Sequence, residues 1–254
     1  PLVDRNELGV AWVSRTDWRL TRHFGPVREG ERVDLVLDGV DTVASAVLNG
    51  SEVGGTGNMH RSYRFDIPAA VRDDNTLDLR FTSPYTEAER WERELGARPS
   101  AYPEPFAFIR KMASSFGWDW GPTLPSCGLW RGVRVESWST VRIAAVRPLV
   151  DVVAGTGILT VHIDLERAES GRDRALHVEV TIEGQAVRAE VPDGEDAVSV
   201  IVAVPDVRRW HPRDAGDAHL YEVAVTVSAG AEIIDEHRTR VGFRTVAVDR
   251  TPAA

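Results

Sequence analysis

Period-two alternation of apolar and polar residues, repeated through two blocks of the chain, is the feature that most constrains its fold. Val33, Leu35 and Leu37 alternate with Arg32 and Asp34, with Val36 as an apolar exception. Tyr63, Phe65 and Ile67 alternate with Ser62, Arg64 and Asp66, and Leu77, Leu79 and Phe81 with Thr76, Asp78 and Arg80. Successive side chains of a strand point to opposite faces, so each segment predicts a strand with one buried face. Asp38-Gly39, Asn49-Gly50 and Asp73-Asp74-Asn75 supply residues that tolerate the positive φ of tight connections. The first half therefore predicts an antiparallel β-sandwich.

A second block of alternation follows the strand Val133-Arg134-Val135-Glu136. Leu159, Val161, Ile163 and Leu165 begin it, followed by Leu176, Val178, Val180 and Ile182, then Val198 through Val204, then Tyr221 through Val227. Roughly seven short strands at regular spacing predict an immunoglobulin-like sandwich. The domain boundary falls between Trp138 and Arg142, giving expected domains 1–139 and 140–250 and a tail 251–254. Between the blocks, one helix is predicted. Ser83 can cap it, Pro84 can take the first helical position, Tyr85, Ala88, Trp91 and Leu95 form its apolar stripe, and Gly96 ends it. Trp91 is expected to anchor this helix on the sandwich, with Glu89–Arg93 and Arg90–Glu94 pairs on the outer side. A proline-rich stretch from Ala97 to Pro105 then forms a loop, which is where a sandwich tends to carry binding residues.

Composition narrows the chemistry. The 254 residues, 43% hydrophobic, are enough for two domains with separate cores. A formal net charge of -9 argues against a nucleic-acid or anionic membrane surface as partner. A single cysteine, Cys127, excludes an intrachain disulfide framework and reads as a small buried hydrophobe. His162 and His177 lie in the polar phase of their strands with no zinc-type spacing between them, so neither a metal nor a cofactor is expected. The chain opens on Pro1-Leu2-Val3-Asp4-Arg5 rather than a basic and apolar leader, which points to the cytoplasm while leaving an upstream leader open.

The densest chemical signal is Gly117-Trp118-Asp119-Trp120-Gly121-Pro122, followed by Gly128-Leu129-Trp130-Arg131. Indole faces pack on the C–H groups of a sugar ring, while a carboxylate accepts hydrogen bonds from adjacent hydroxyls. Two readings of an isolated Trp-Asp-Trp are open: such a sugar contact, or core tryptophans beside an Asp that caps a turn.

The longer run Phe108-Ile109-Arg110-Lys111, Phe116 to Pro122 and Gly128 to Arg131 resembles the signature of β-mannosidases, a branch of the retaining glycoside hydrolase family that includes β-galactosidase and β-glucuronidase. Two further stretches carry the same resemblance: Arg209-Trp210-His211-Pro212 with Leu220-Tyr221-Glu222-Val223, and Arg240-Val241-Gly242-Phe243-Arg244-Thr245. His211 stands where a second tryptophan is common. The resemblance implies an all-β fold, a jelly-roll (galactose-binding-like) β-sandwich followed by an immunoglobulin-like β-sandwich. It implies substrate contact by Trp118 and Asp119, with Trp120 and Arg110 supporting the loop.

Retaining glycosidases use two carboxylates roughly 5 Å apart. In this family both are glutamates of a (β/α)8 barrel that normally follows the Gly242-Phe243-Arg244 segment. This sequence stops at Ala254, whereas a barrel needs about 250 residues. The expectation is therefore an amino-terminal fragment without catalytic residues of its own. In the parent enzyme its partners would be the missing barrel and a β-mannoside oligosaccharide. A free-standing carbohydrate-binding module and a structural spacer are the alternatives.

Overall fold

The alternating segments fold as antiparallel strands in the computed structural model, which describes residues 6–248 apart from Ala101 and the side chain of Ala69. The expectations for Pro1–Arg5 and for the tail 251–254 fall outside these residues. The chain divides into two compact units, Pro1–Ser137 and Trp138–Ala254.

The first unit begins with the short helix α1 (Asn6–Gly9). Its strands are β1 (Trp18–Phe24), β2 (Arg32–Leu37), β3 (Val40–Asp41), β4 (Val43–Leu48), β5 (Ser51–Gly57), β6 (Tyr63–Asp66) and β7 (Asn75–Phe81). Beyond helix α2 (Pro84–Leu95) come β8 (Phe116–Trp118), β9 (Gly121–Thr123), β10 (Gly128–Leu129) and β11 (Val133–Trp138). A four-stranded sheet in the order β1-β7-β4-β5 and a three-stranded sheet in the order β11-β2-β6 make the sandwich, with β10-β3 and β8-β9 as two-stranded additions. Leu35, Leu37, Leu48, Leu79 and Phe81 fill the space between. Burying an aliphatic or aromatic side chain of this size stabilises by about 1.5–3 kcal/mol. Cys127 packs partly buried against this core, and burial pushes its thiol up to about 11, so it is a packing group rather than a nucleophile.

Two positions in the polar phase are not solvated. Asp34 and Asp78 are 1% and 6% exposed. Arg64 reaches Asp34 at 2.9 Å and Glu136 at 2.5 Å. Arg19 donates twice to Asp78, at 2.8 and 2.5 Å, and Thr21 donates to it at 2.6 Å. A buried carboxylate is tolerable only when paired and hydrogen-bonded, and here neighbouring strands provide both.

Helix α2 is capped as its sequence dictates. Ser83 Oγ accepts from the Thr86 amide, Pro84 is the first helical residue, and Gly96 ends the helix at φ +80°. Its stripe is only partly buried. Tyr85 and Ala88 are core, Trp91 is half-buried with Nε1 donating to Glu87 at 2.7 Å, and Leu95 is 58% exposed. Trp91 thus faces a cleft instead of plugging the sandwich. Arg90 pairs with Glu94 as expected, whereas Glu89 pairs with Arg15 of the preceding segment rather than with Arg93.

The second unit holds β12 (Val141–Val153), β13 (Thr156–Arg167), β14 (Leu176–Ile182), β15 (Gln185–Val191), β16 (Ala197–Val204), β17 (Tyr221–Ala229) and β18 (Glu232–Val241). They form sheets in the orders β12-β13-β16 and β15-β14-β17-β18 around Leu159, Val161, Ile163, Leu176, Val180 and Val225. Glu183 (φ +45°) and Gly184 (φ +72°) turn β14 into β15, the left-handed pair that matches the twist of two antiparallel strands. Both histidines of the polar phase are half-buried rather than solvent-facing: His162 meets Ser199 Oγ at 2.8 Å, and His177 lies partly covered on β14. Phe243 is fully buried against Tyr221, the Trp210 amide donates to its carbonyl at 2.9 Å, and the Arg244 guanidinium lies 4.9 Å from the Trp210 ring centre. Segments far apart in sequence, 209–212, 220–223 and 240–245, are thereby brought together. Among the described residues no helix is long and apolar enough to cross a membrane.

Candidate functional site

The tryptophan-rich run folds as a miniature hairpin. Phe116 pairs with Thr123 and Trp118 with Gly121, leaving Asp119 and Trp120 as the two-residue turn. Its root is deeply set. Phe116 is fully buried under α2, edge-on to Tyr85 at 5.5 Å, in a cluster with Ala88 and Ile109. Gly117 has φ +93°, and a Cβ there would stand 2.3 Å from Thr123 Oγ1. Thr123 in turn donates to the Phe116 carbonyl at 3.3 Å. A side chain at 117 would therefore meet backbone strain and a steric collision together.

The segment leading into the hairpin is tied down from below. Residue 110 bridges to Asn58, and its carbonyl accepts from the Met59 amide at 3.0 Å. Lys111, 6% exposed, directs its ammonium onto the Asp41 carboxylate and donates to the Ser126 carbonyl at 2.8 Å. One buried cation thus joins β3, the approach to β8 and the irregular segment between β9 and β10. The Arg110 side chain is exposed and lines a cleft of about 920 Å³ with Asn58, His60, Trp91, Arg98 and Phe108.

The tip differs from the root. Trp118 is 54% exposed and meets Tyr102 edge-on at 5.9 Å, while Tyr102 stacks on Phe106 at 5.0 Å. Asp119 is exposed, and its carboxylate has no hydrogen-bond or ion-pair partner among the described residues. Trp120 is 77% exposed. Nearby in sequence, Trp130 is held at its indole nitrogen by the Met59 carbonyl at 3.1 Å and covered by Arg131 at 4.3 Å, yet remains 47% exposed. The sequence-predicted pair Trp118 and Asp119 thus sits at the tip, with Arg110 on the approach and Trp120 at the turn.

Sequence reasoning did not single out Tyr102 or Asp41. Tyr102 lies in the loop after α2, and only its aromatic character in a proline-rich stretch signals it. Asp41 carries no local signal, because its partner is 70 residues away in sequence. Among the described residues no group of three or more His, Cys, Asp or Glu side chains is arranged to hold a metal ion.

Residues 1–131 match the family described as Glycosyl hydrolase 2 galactose-binding domain-like, and residues 141–244 match Glycosyl hydrolases family 2. The β-mannosidase of Capra hircus is 32% identical over 99% of this chain, and β-mannosidase B of Thermothelomyces thermophilus is 28% identical over 99%. The crystal structure of the β-D-mannosidase of Dictyoglomus thermophilum superposes with a TM-score of 0.84 at 27% identity, covering 97% of this chain. The chain spans 31% of the goat enzyme, 30% of the fungal one and 32% of the bacterial structure. Two sandwiches in this order, each matched over most of its length, leave one conclusion: the chain belongs to family 2 of the glycosyl hydrolases.

Proposed function

We propose that residues 1–254 are the non-catalytic amino-terminal part of a retaining β-mannosidase-like enzyme that removes a terminal β-linked mannose. In that enzyme the hairpin tip forms one wall of the sugar pocket. The reading rests above all on Asp119: an exposed carboxylate with no partner among the described residues stands between two exposed indoles on a firmly rooted hairpin. A carboxylate acting as a turn cap would spend its oxygens on backbone amides. This one keeps them available for the hydroxyls of a sugar, with Trp118 offering a ring face beside it.

Arg110 supports the loop through its main chain on Asn58 and Met59. Trp120, with most of its ring exposed, supports the hairpin by packing on polypeptide of the assembled enzyme. The two glutamates of the retaining mechanism belong to a barrel outside these residues, so the isolated chain is inert toward aryl β-mannosides. The parent enzyme needs no cofactor for this chemistry, and a single half-buried cysteine suits a cytoplasmic setting.

The deciding experiment is Asp119→Ala in the complete enzyme. Losing a charged hydrogen bond of about 1.5–3 kcal/mol lowers kcat/KM by roughly ten- to a hundred-fold. The melting temperature should stay unchanged, since no described residue bonds to this carboxylate. A lower melting temperature with near-normal kcat/KM would refute the assignment. The exposed tryptophans also suit a free-standing sugar-binding module. That reading gains ground if residues 1–254 alone bind mannosides and Trp118→Ala abolishes the binding.

A further inference from the structure

The sandwich of the first unit is closed along one side and open along the other. On the closed side β5 leads into β6, and Gly54 lies so near Phe65 that a Cβ there would stand 2.2 Å from the ring. On the other side the edge strands are β1 and β11, which are not hydrogen-bonded to each other. Between them runs a groove of about 540 Å³. Its walls include Leu20 and Phe24 of β1, Leu35 of β2, Leu79 of β7, and Val133 and Val135 of β11.

These are the inward faces of both sheets, so the groove is the hydrophobic core reaching solvent. Leu20 sits opposite Leu79 in the ladder yet is 43% exposed. Arg22 occupies the next inward position of the same strand, between Leu20 and Phe24. Its guanidinium has no partner among the described residues, while the outward phase of β1 is fully engaged: Arg19 and Thr21 on Asp78, and His23 on Thr76. An apolar slot flanked by a strand edge that is unpaired among the described residues fits one kind of occupant, an extended segment that adds a strand while its alternate apolar side chains fill the slot. An arginine placed within the slot adds a requirement: the occupant carries an acidic side chain there.

We propose that the β1–β11 groove is a strand acceptor. Its occupant is an extended segment of the same polypeptide lying outside residues 1–254, apolar at alternate positions and acidic opposite Arg22. The goat relative is long enough that this chain covers 31% of it, so a polypeptide of that kind has ample chain beyond these residues from which to supply the strand. The proposal is independent of the sugar-contact reading, because the groove shares no residue with the hairpin.

Hydrogen–deuterium exchange of the β11 amides, Val133–Trp138, tests it in two proteins: residues 1–254 alone and the complete polypeptide encoded with them. The complete polypeptide should show protection of β11 higher by at least about ten-fold, since an edge strand becomes an internal one. Arg22→Glu should remove that gain in the complete polypeptide and leave exchange in residues 1–254 unchanged. Leu20→Asp, also at a solvent-accessible edge position, should act in the same direction through the apolar wall. Equal β11 exchange in the two proteins would overturn the proposal, as would a gain insensitive to both substitutions. Protection in residues 1–254 that rises with protein concentration would overturn it by identifying a second copy as the occupant. A reading frame that adds no residues to 1–254 would overturn it as well.

Discussion

Lys111→Met asks whether a buried ion pair holds the root of the hairpin. Methionine keeps an unbranched apolar stem of similar volume and loses the charge together with the N–H donors. In the native protein the Lys111 side chain is 1% exposed and the Asp41 side chain 15%. The substitution strands the Asp41 carboxylate and leaves the Ser126 carbonyl without its donor. Breaking one side of a buried pair costs about 3–5 kcal/mol. Asp41 keeps some contact with water and a hydrogen bond from Thr42, which places the expectation at the lower end, about 3 kcal/mol. With each kcal/mol worth roughly 3–5 °C in a domain of this size, the melting temperature of the first unit falls by about 10 °C or somewhat more.

Urea unfolding followed by tryptophan fluorescence suits the measurement, because six of the eight tryptophans precede Ser137. Adding Asp41→Asn to Lys111→Met removes the stranded charge and should recover at least half of the loss. A single variant that loses less than about 1 kcal/mol would refute the reasoning, since that is the scale of an exposed pair. A double variant no better than the single would refute it too.

Two other perturbations follow from the same structure. Gly117→Ala combines positive φ with a collision at Thr123; it should cost about 1–3 kcal/mol by denaturant titration and lower kcat/KM of the complete enzyme by shifting the tip. Hydrogen bonds from Arg19 and then from Thr21 hold the Asp78 carboxyl below the usual carboxylate range. Its contribution to stability is therefore complete above the ordinary carboxylate pKa and lost as pH falls through the depressed one, so Asp78→Asn should flatten the acid limb of a melting-temperature profile while the wild type falls.

What the sequence disclosed depended on how local the determinant was. Alternation disclosed β2, β6, β7 and most of the second unit, because a strand's buried face is encoded every second residue. Ser83, Pro84 and Gly96 disclosed both ends of α2, since capping acts within one turn. Asp34 and Asp78 stood in the polar phase and looked solvated; their burial comes from arginines 30 and 59 residues away, which pattern alone cannot pair. Trp91 had the right spacing for a core anchor, yet spacing does not separate a face that meets a core from one that meets a cleft. The Trp-Asp-Trp run announced an aromatic site, whereas the hairpin that presents it required Phe116 to find Tyr85 and Lys111 to find Asp41.

The contrast between root and tip carries a consequence for how such a site can vary. At the root, four independent restraints converge: Phe116 in the core, the Lys111–Asp41 pair, the left-handed Gly117, and the Thr123 hydroxyl on the Phe116 carbonyl. At the tip, the Asp119 carboxylate has no partner among the described residues and Trp120 is 77% exposed. Substitutions at the tip should therefore change sugar contact with stability intact, whereas those at the root should change both together. Lys111→Met and Asp119→Ala fall on opposite sides of that line. If Lys111→Met lowered kcat/KM without lowering the melting temperature, the ammonium would belong to the binding surface itself. If both variants lost stability in equal measure, the tip would be part of the scaffold and the sugar-contact proposal would lose its footing.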